Sequence, residues 1–496
     1  MGSDDNQERE SQSRVVHGVY DNVRHRVGGV FRFAFLQSPA RTAVVTFALA
    51  ALVGAFLLSL PVSSEKGQWT NYIDCLFTST SAVCVTGLLV KSTPDHWTMF
   101  GELVILGLIQ VGGLGIMTLG AFVASVLRKG MSMRFERFMK TLVESQVEDN
   151  VLWLVGFICL FTFIAELIGA VTLYISWQDA DQFIGKPWLC VYHSIFHSIS
   201  AFCNAGFSLN NNSLETYQGT FSVSFIVSML IIAGGIGFTV VRDVETYVRW
   251  WLFSRRGKKP RLSTHTRLVL VTTGVLLLVG FVGVLALEWN NETLQGTDLE
   301  TKVSSAIFHS VTPRTAGFNT MKMGALAPAT IFLTIVLMFI GGSPGGTAGG
   351  IKTSTLGVMF TSVLATLRGR EKAEMFHHSV SEETVHRVAS IILLSFAVVV
   401  TGVFVLLMTE QGTTLSGSDE PVRFEHVMFE SVSAFGTVGL STGLTGMNTH
   451  MTAAGKLVIT MLMFVGRLGP IALILSIASL KETAVYSYPE DRILVG

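Results

Sequence analysis

Charge is what this sequence has least of. Asp, Glu, Lys and Arg make up 14% of its 496 residues, against roughly 25% in soluble domains. Hydrophobic residues make up 49%. That balance excludes a soluble multidomain enzyme and indicates a polytopic membrane protein. The 35 basic and 35 acidic residues cancel, so the chain offers no basic field to nucleic acid. Cysteine is also scarce. Cys75, Cys84, Cys159, Cys190 and Cys203 show no C-x-x-C spacing, which excludes a disulfide framework and a thiolate metal site; they read as buried apolar thiols. No G-x-G-x-x-G follows a strand and opens a helix, so no nucleotide is expected on this chain. No cluster of His, Asp and Glu has ligand or catalytic spacing, and the chain is not expected to be an enzyme. The polar start, residues 1 to 37, has no early apolar run and reads as no signal peptide.

Four stretches say nearly the same thing: FTSTSAVCVTGL from Phe77, FHSISAFCNAGF from Phe196, FHSVTPRTAGF from Phe308 and FESVSAFGTVGL from Phe429. Each has Ser two residues after its Phe (Ser79, Ser198, Ser310, Ser431) and a hydroxyl two further on (Ser81, Ser200, Thr312, Ser433). Each ends on a glycine, Gly87, Gly206, Gly317 or Gly439, and they recur about every 110 to 120 residues, the scale of a repeated structural unit. One copy alone reads as a buried turn. Four copies, each between long apolar segments, read as a short helix followed by extended, glycine-bearing backbone. Glycine permits positive φ and close backbone approach, and carbonyls aimed at one axis replace an ion's hydration shell in potassium filters. The candidate ion-lining segments are Val85-Thr86-Gly87-Leu88, Asn204-Ala205-Gly206-Phe207, Thr315-Ala316-Gly317-Phe318 and Thr437-Val438-Gly439-Leu440.

The short helices set the topology. Tyr72 to Val83 is about 12 residues, or ~18 Å of helix, too short for a hydrocarbon core of ~30 Å. Such a segment enters and leaves by one face. Basic residues cluster in the N-terminal arm (Arg14, Arg24, Arg26, Arg32) and after the second, fourth and sixth spans (Arg128, Lys129, Arg134, Arg137 and Lys140 after the second; Arg255, Arg256, Lys258, Lys259 and Arg261 after the fourth). The loops around the short helices carry Glu65, Asp95, Asp179, Asp181, Glu292, Asp298, Glu300, Asp419 and Glu420. By the positive-inside rule both termini are cytoplasmic and the short helices dip in from outside. The fold class is therefore an all-α polytopic membrane protein with four span–pore helix–span repeats around one pore, comprising eight transmembrane helices and four re-entrant P-loops. The expected bounds are a cytoplasmic arm at 1–40, repeats at 41–130, 150–256, 265–370 and 383–480, and a tail at 481–496.

This combination resembles the Trk/Ktr/HKT superfamily of potassium transporters over nearly the whole chain, with most likeness to the KtrB branch. TSTSAVCVTGL, SISAFCNAGFSL, PRTAGFN, SAFGTVGL and the terminal YPED (Tyr488 to Asp491) carry the likeness. The resemblance implies potassium as the transported ion, often with sodium dependence, in a bacterial cell membrane. It implies a homodimer in the lipid bilayer on a cytoplasmic ring of nucleotide-binding regulatory subunits of the KtrA type. The competing reading is an autonomous Na/K-coupled secondary transporter, which predicts two inverted repeats rather than four parallel ones.

The second span of each unit repeats a glycine pair: Gly112-Gly113, Gly234-Gly235, Gly341-Gly342 and Gly466-Arg467. Paired glycines signal tight helix packing. In the last pair Arg467 replaces glycine, and an arginine at membrane depth must face water or a partner. The partner reading is a buried pair with Glu430 or Glu166; the functional reading is a cation below the filter. In the third unit GGSPGGTAGGIKTST (Gly341 to Thr355) interrupts the span, and non-helical backbone at that depth is tolerated only inside protein or beside a water-filled cavity. Its core, Gly345-Gly346-Thr347-Ala348-Gly349, together with Arg467, is the candidate gate, with loop hydroxyls expected to bond the guanidinium; the resemblance makes this segment an intramembrane loop. A phosphate-binding reading of Gly346 to Thr353 fails because Ile351 stands where glycine precedes the lysine and no strand leads in. His193, His197 and His309 read as hydrogen-bonded helix residues, Arg314 as a brace for the third filter, Glu166 as an interhelical partner, and Asp243 as half of a local pair with Arg242.

Overall fold

The computed structural model describes residues 39–127, 151–253, 259–416, 420–447 and 449–470. The N-terminal arm, most of the basic clusters, Asp419, the last part of the final expected span and YPED lie outside them. Unit one is α1 (Pro39–Ser59), α2 (Tyr72–Val83) and α3 (Met99–Leu127). Unit two is α4 (Val151–Trp177), α5 (Pro187–Phe202), α6 (Phe221–Gly235) and α7 (Phe238–Phe253). Unit three is α8 (Thr264–Glu288), α9 (Leu299–Val311), α10 (Pro328–Phe339) and α11 (Thr353–Leu367). Unit four is α12 (Glu382–Thr409), α13 (Phe424–Gly436) and α14 (Ala453–Leu468). A two-residue ribbon, Glu374–Met375 with His378–Ser379, joins units three and four.

The helix starts are written locally. Asn71, Ser263, Asp298, Ser381 and Thr452 each accept a backbone N–H of the first turn, satisfying donors that have no intrahelical partner. Pro187 and Pro328 open α5 and α10, where a missing N–H costs nothing. The outer helices are apolar on every side. Among the described residues, Val155–Trp177, Thr264–Glu288 and Glu382–Thr409 are each long and apolar enough to cross a membrane, and the bent pair α6–α7 makes a fourth only if taken as one broken span. Leu160, Phe163, Leu167, Leu278, Leu393, Phe396 and Phe404 point outward, exposed, which suits lipid rather than water.

The short helices α2, α5, α9 and α13 lie inside this perimeter. Phe77, Phe196, Phe308 and Phe429, the aromatic that opens each repeat, are all buried. Unit four closes on unit one, where α14 packs against α2 and Lys456 Nζ donates to Asp74 Oδ1 at 2.7 Å.

The fourth span departs from expectation. It is not one helix from Phe221 to Trp251: it breaks after Gly235 and bends by 105° into α7. The cause is the interrupted segment of unit three, which takes over the hydrogen bonds of the break. Ser343 N donates to Gly235 O at 2.9 Å, Thr347 N to Gly234 O at 3.0 Å, and Phe238 N to Gly345 O at 3.2 Å. Gly237 turns the chain at φ +90°, and a Cβ there would strike the carbonyl of Pro344.

Candidate ion pathway

The four repeated stretches converge on one ring. In each, a left-handed residue is followed, two positions on, by a left-handed glycine: Val85 and Gly87, Asn204 and Gly206, Thr315 and Gly317, Thr437 and Gly439. Positive φ is a departure for asparagine and a strained one for the β-branched Val85, Thr315 and Thr437. Such strain persists only where the surroundings over-determine it, and here the second hydroxyl of each repeat does so. Ser81 Oγ donates to Leu88 O at 2.8 Å and accepts from Gly87 N at 3.0 Å. Ser433 repeats both bonds, to Leu440 O at 2.7 Å and from Gly439 N at 3.2 Å. Ser200 donates to Phe207 O at 2.8 Å and Thr312 to Phe318 O at 2.5 Å.

The ring closes through its glycines. A Cβ on Gly87 would lie within 2.8 Å of Ala205 O, one on Gly206 of Ala316 O, one on Gly317 of Val438 O, and one on Gly439 of Thr86 O. Each missing side chain is the space occupied by the next unit's carbonyl, in the order one, two, three, four and back to one. No residue larger than glycine fits at any of the four positions without moving backbone.

The glycine pairs of the inner helices serve the same centre. A Cβ on Gly112, Gly234 or Gly466 would stand under 3.0 Å from the carbonyl of Val83, Phe202 or Phe435 at the end of α2, α5 or α13. The first serine of the repeat works outward in two units: Ser79 donates to Ala51 O of α1 at 2.7 Å and Ser198 to Glu166 O of α4 at 2.6 Å. In the other two it bonds within its own helix, to Ile307 O and Val427 O.

Below the ring lies the segment from Ile340 to Lys352. It is short of side chains but not of bonds. Gly341 N donates to Ile351 O at 2.9 Å, Thr353 N to Gly342 O at 3.0 Å, and Ser343 Oγ pairs with Thr353 Oγ1 at 2.9 Å. A Cβ on Gly349 would collide with Thr437 Oγ1 at the base of the fourth repeated stretch. Thr347 Oγ1 donates to Phe202 O of unit two at 3.2 Å. Arg467 of α14 donates through Nη1 to Thr347 O and through Nη2 to Gly112 O of α3 at 2.8 Å. The guanidinium thus joins units four, three and one beneath the ring. Its partners are backbone carbonyls, not the loop hydroxyls expected from the sequence. Nor are they carboxylates: Glu430 accepts from Thr445 N at 3.0 Å, and Glu166 accepts from Gln110 Nε2 of α3 at 3.3 Å, an interhelical bond as expected.

The other singled-out residues fall as follows. His197 Nδ1 meets His193 O at 2.8 Å and its Nε2 meets Ser208 Oγ at 3.0 Å; His309 Nε2 meets Thr334 Oγ1 at 3.0 Å. Asp243 caps α8, accepting from Ser263 Oγ at 2.6 Å and Thr266 Oγ1 at 2.5 Å, while Arg242 lies over the ring of Trp153. Four of the five cysteines are buried and Cys159 is half-buried, and all five are free thiols. No group of three or more His, Cys, Asp or Glu among the described residues is placed to hold a metal. The sequence did not reveal the outer ties. Asp74, buried, binds Lys456 and lies 3.6 Å from Lys91. Glu288 accepts from Ala327 N at 3.0 Å and Glu410 from Thr452 N at 3.1 Å, each fastening an outer helix to the start of its inner helix. In the outer loops Asn319 Nδ2 donates to Glu215 at 2.7 Å, and burial holds the Glu215 carboxyl above the ordinary range.

Four helix–short helix–helix units with apolar outer helices, their glycine-bearing loops closed into one ring, define a helical protein of membrane type. Residues 32–487 match the family model of TrkH, described as a cation transport protein, and the chain belongs to that family, within the Trk/Ktr superfamily and close to KtrB. The family is one of cation transporters, not enzymes. The potassium/sodium uptake protein NtpJ of Enterococcus hirae is 37% identical over 461 residues, covering 92% of this chain and 97% of that protein. The Ktr system potassium uptake protein B of Bacillus subtilis is 37% identical over 460 residues, with the same coverage of 92% and 97%. The crystal structure of the potassium transporter TrkH from Vibrio parahaemolyticus shares the fold, with TM-score 0.64 and 20% identity over 88% of this chain and 83% of that one.

Proposed function

We propose that this chain is the potassium-translocating subunit of a Ktr-type uptake system. The observation that carries the reading is the ring in which Gly87, Gly206, Gly317 and Gly439 each face the carbonyl of the next unit. Backbone carbonyls gathered from four units around one ring suit dehydrated potassium. The ends of α2, α5, α9 and α13 add their negative dipole ends to the same point, about half an elementary charge each. The lining is Val85–Leu88, Asn204–Phe207, Thr315–Phe318 and Thr437–Leu440. Gly345 to Gly349 with Arg467 is the gate; the bond from Arg467 to Thr347 O supports that reading.

In this reading the protein lies in a bacterial cell membrane, with eight spans, four re-entrant loops entering from outside and both termini cytoplasmic. Two copies assemble, each with its own pore, on a cytoplasmic ring of nucleotide-binding regulators; the relative that is part of a Ktr system supports such a regulator. Sodium dependence is supported by the relative that takes up potassium and sodium. The test is flux in proteoliposomes, with potassium and sodium varied separately and the regulator present or absent. Potassium flux that rises with the regulator is expected. A protein that moves sodium as readily as potassium, or neither, overturns the reading.

A further inference from the structure

The residue that precedes each left-handed filter position is Cys84, Cys203, Arg314 or Gly436. In unit two the space behind this position is occupied by a carboxylate, Glu166, with Gln110 and the Cys203 thiol around it. Unit three is built differently. Gly169 of α4 faces Ser198 and Gly280 of α8 faces Ser310, so the two helices align at these glycines and Leu277 stands where unit two has Glu166. The thiol has become a guanidinium and the carboxylate has become a leucine.

Arg314 is therefore buried, 8% exposed, with little to bind. Its Nη2 donates to Thr273 Oγ1 at a long 3.4 Å, and its Nε has no partner. It lines a cavity of about 20 Å³ bounded by Thr273, Leu277, Val311, Gly235 and Gly342, the last two at the helix break and at the start of the intramembrane segment. A water needs roughly 10–15 Å³, so the space is large enough for one small particle. A buried cation calls for compensating charge, and among the described residues no carboxylate is paired with Arg314.

We infer that this cavity is a binding site for a small monovalent anion of the size of chloride, held by Arg314 and the Thr273 hydroxyl. The bound anion neutralises the guanidinium immediately behind the third filter. The purified full-length protein is melted in potassium chloride, bromide and gluconate at equal potassium concentration, and crystals grown with bromide are examined by anomalous scattering. The melting midpoint is expected to be higher in chloride and bromide than in gluconate, and bromide is expected in contact with the guanidinium. Arg314→Gln is expected to remove the anion dependence. Leu277→Glu, which restores the carboxylate of unit two, is expected to remove it as well while keeping the fold. Equal midpoints of the wild-type protein in all three salts, or a cavity holding water and no bromide, would overturn the inference. None of these readouts depends on transport.

Discussion

The glycine ring and the helices beneath it are made from the same four repeats, yet they treat the repetition in opposite ways. At the ring every unit obeys one rule: a left-handed residue, a left-handed glycine, a hydroxyl pin and a neighbour's carbonyl in the space of the absent Cβ. Beneath it no two units agree. α3 runs through its glycine pair, α6–α7 bends there by 105°, α10 and α11 are separated by a folded segment, and α14 carries Arg467 in place of a glycine. Ion selection benefits from symmetry, because carbonyls on all sides share the coordination. A gate needs asymmetry, because one element must be able to move while the others hold. The divergence is thus concentrated at the proposed gate.

That contrast can be broken at several points. The largest effect is expected from removing Gly345 to Gly349. The deletion takes away Thr347, whose N–H, hydroxyl and carbonyl bond units two and four, and should raise potassium flux tenfold or so while abolishing dependence on the regulator. In the population-shift arithmetic, tenfold corresponds to about 1.4 kcal/mol of bias. Flux left at wild-type level in a folded protein would show that the segment only fills space. Next is Gly87→Ser, whose Cβ strikes Ala205 O. Potassium preference over sodium should fall by about an order of magnitude, at a cost of about 1.4 kcal/mol, measured as the uptake ratio in proteoliposomes. An unchanged ratio would remove the ring from ion selection.

Arg467→Ala should come third. It releases Thr347 O and Gly112 O together and should raise flux a fewfold, with selectivity untouched because the ring keeps its own bonds. A fall in selectivity would mean that the two regions are not separable. Smallest is Ser81→Ala, which leaves Gly87 N and Leu88 O without their pin. Loss of a buried partner costs about 1–3 kcal/mol of stability, expected as a lowered melting midpoint with a modest loss of potassium preference. The same change at Ser433, the other doubly bonded pin, should match it if the ring is fourfold in energy as well as in geometry.

The symmetric region was the legible one. Repeated Phe, Ser and Gly positions mark the short helices and filters because the same backbone need recurs four times, and α2 begins and ends where the spacing places it. The left-handed Val85, Thr315 and Thr437 carry no such mark, since β-branched residues ordinarily signal extended chain; only their setting forces them. The break after Gly235 was illegible for a related reason. Its glycines match those of α3, and what bends the helix is a segment more than a hundred residues further on. The partner of Arg467 was missed because a backbone carbonyl has no side-chain signature. Asp74 and Lys456 could not be paired from spacing that spans the whole ring.

That last pair has a consequence for how the protein is made. The bond between Lys456 and Asp74 joins residues 382 apart in sequence. At roughly 5–20 residues per second, Asp74 waits about 20 to 80 s for its partner to be synthesised, with three-quarters of a ring already in place. During that interval a buried carboxylate and the open flank of α2 face whatever else is present. Biogenesis of this protein therefore has a vulnerable seam, and a chain halted before α14 leaves it with an open arc in place of a smaller pore.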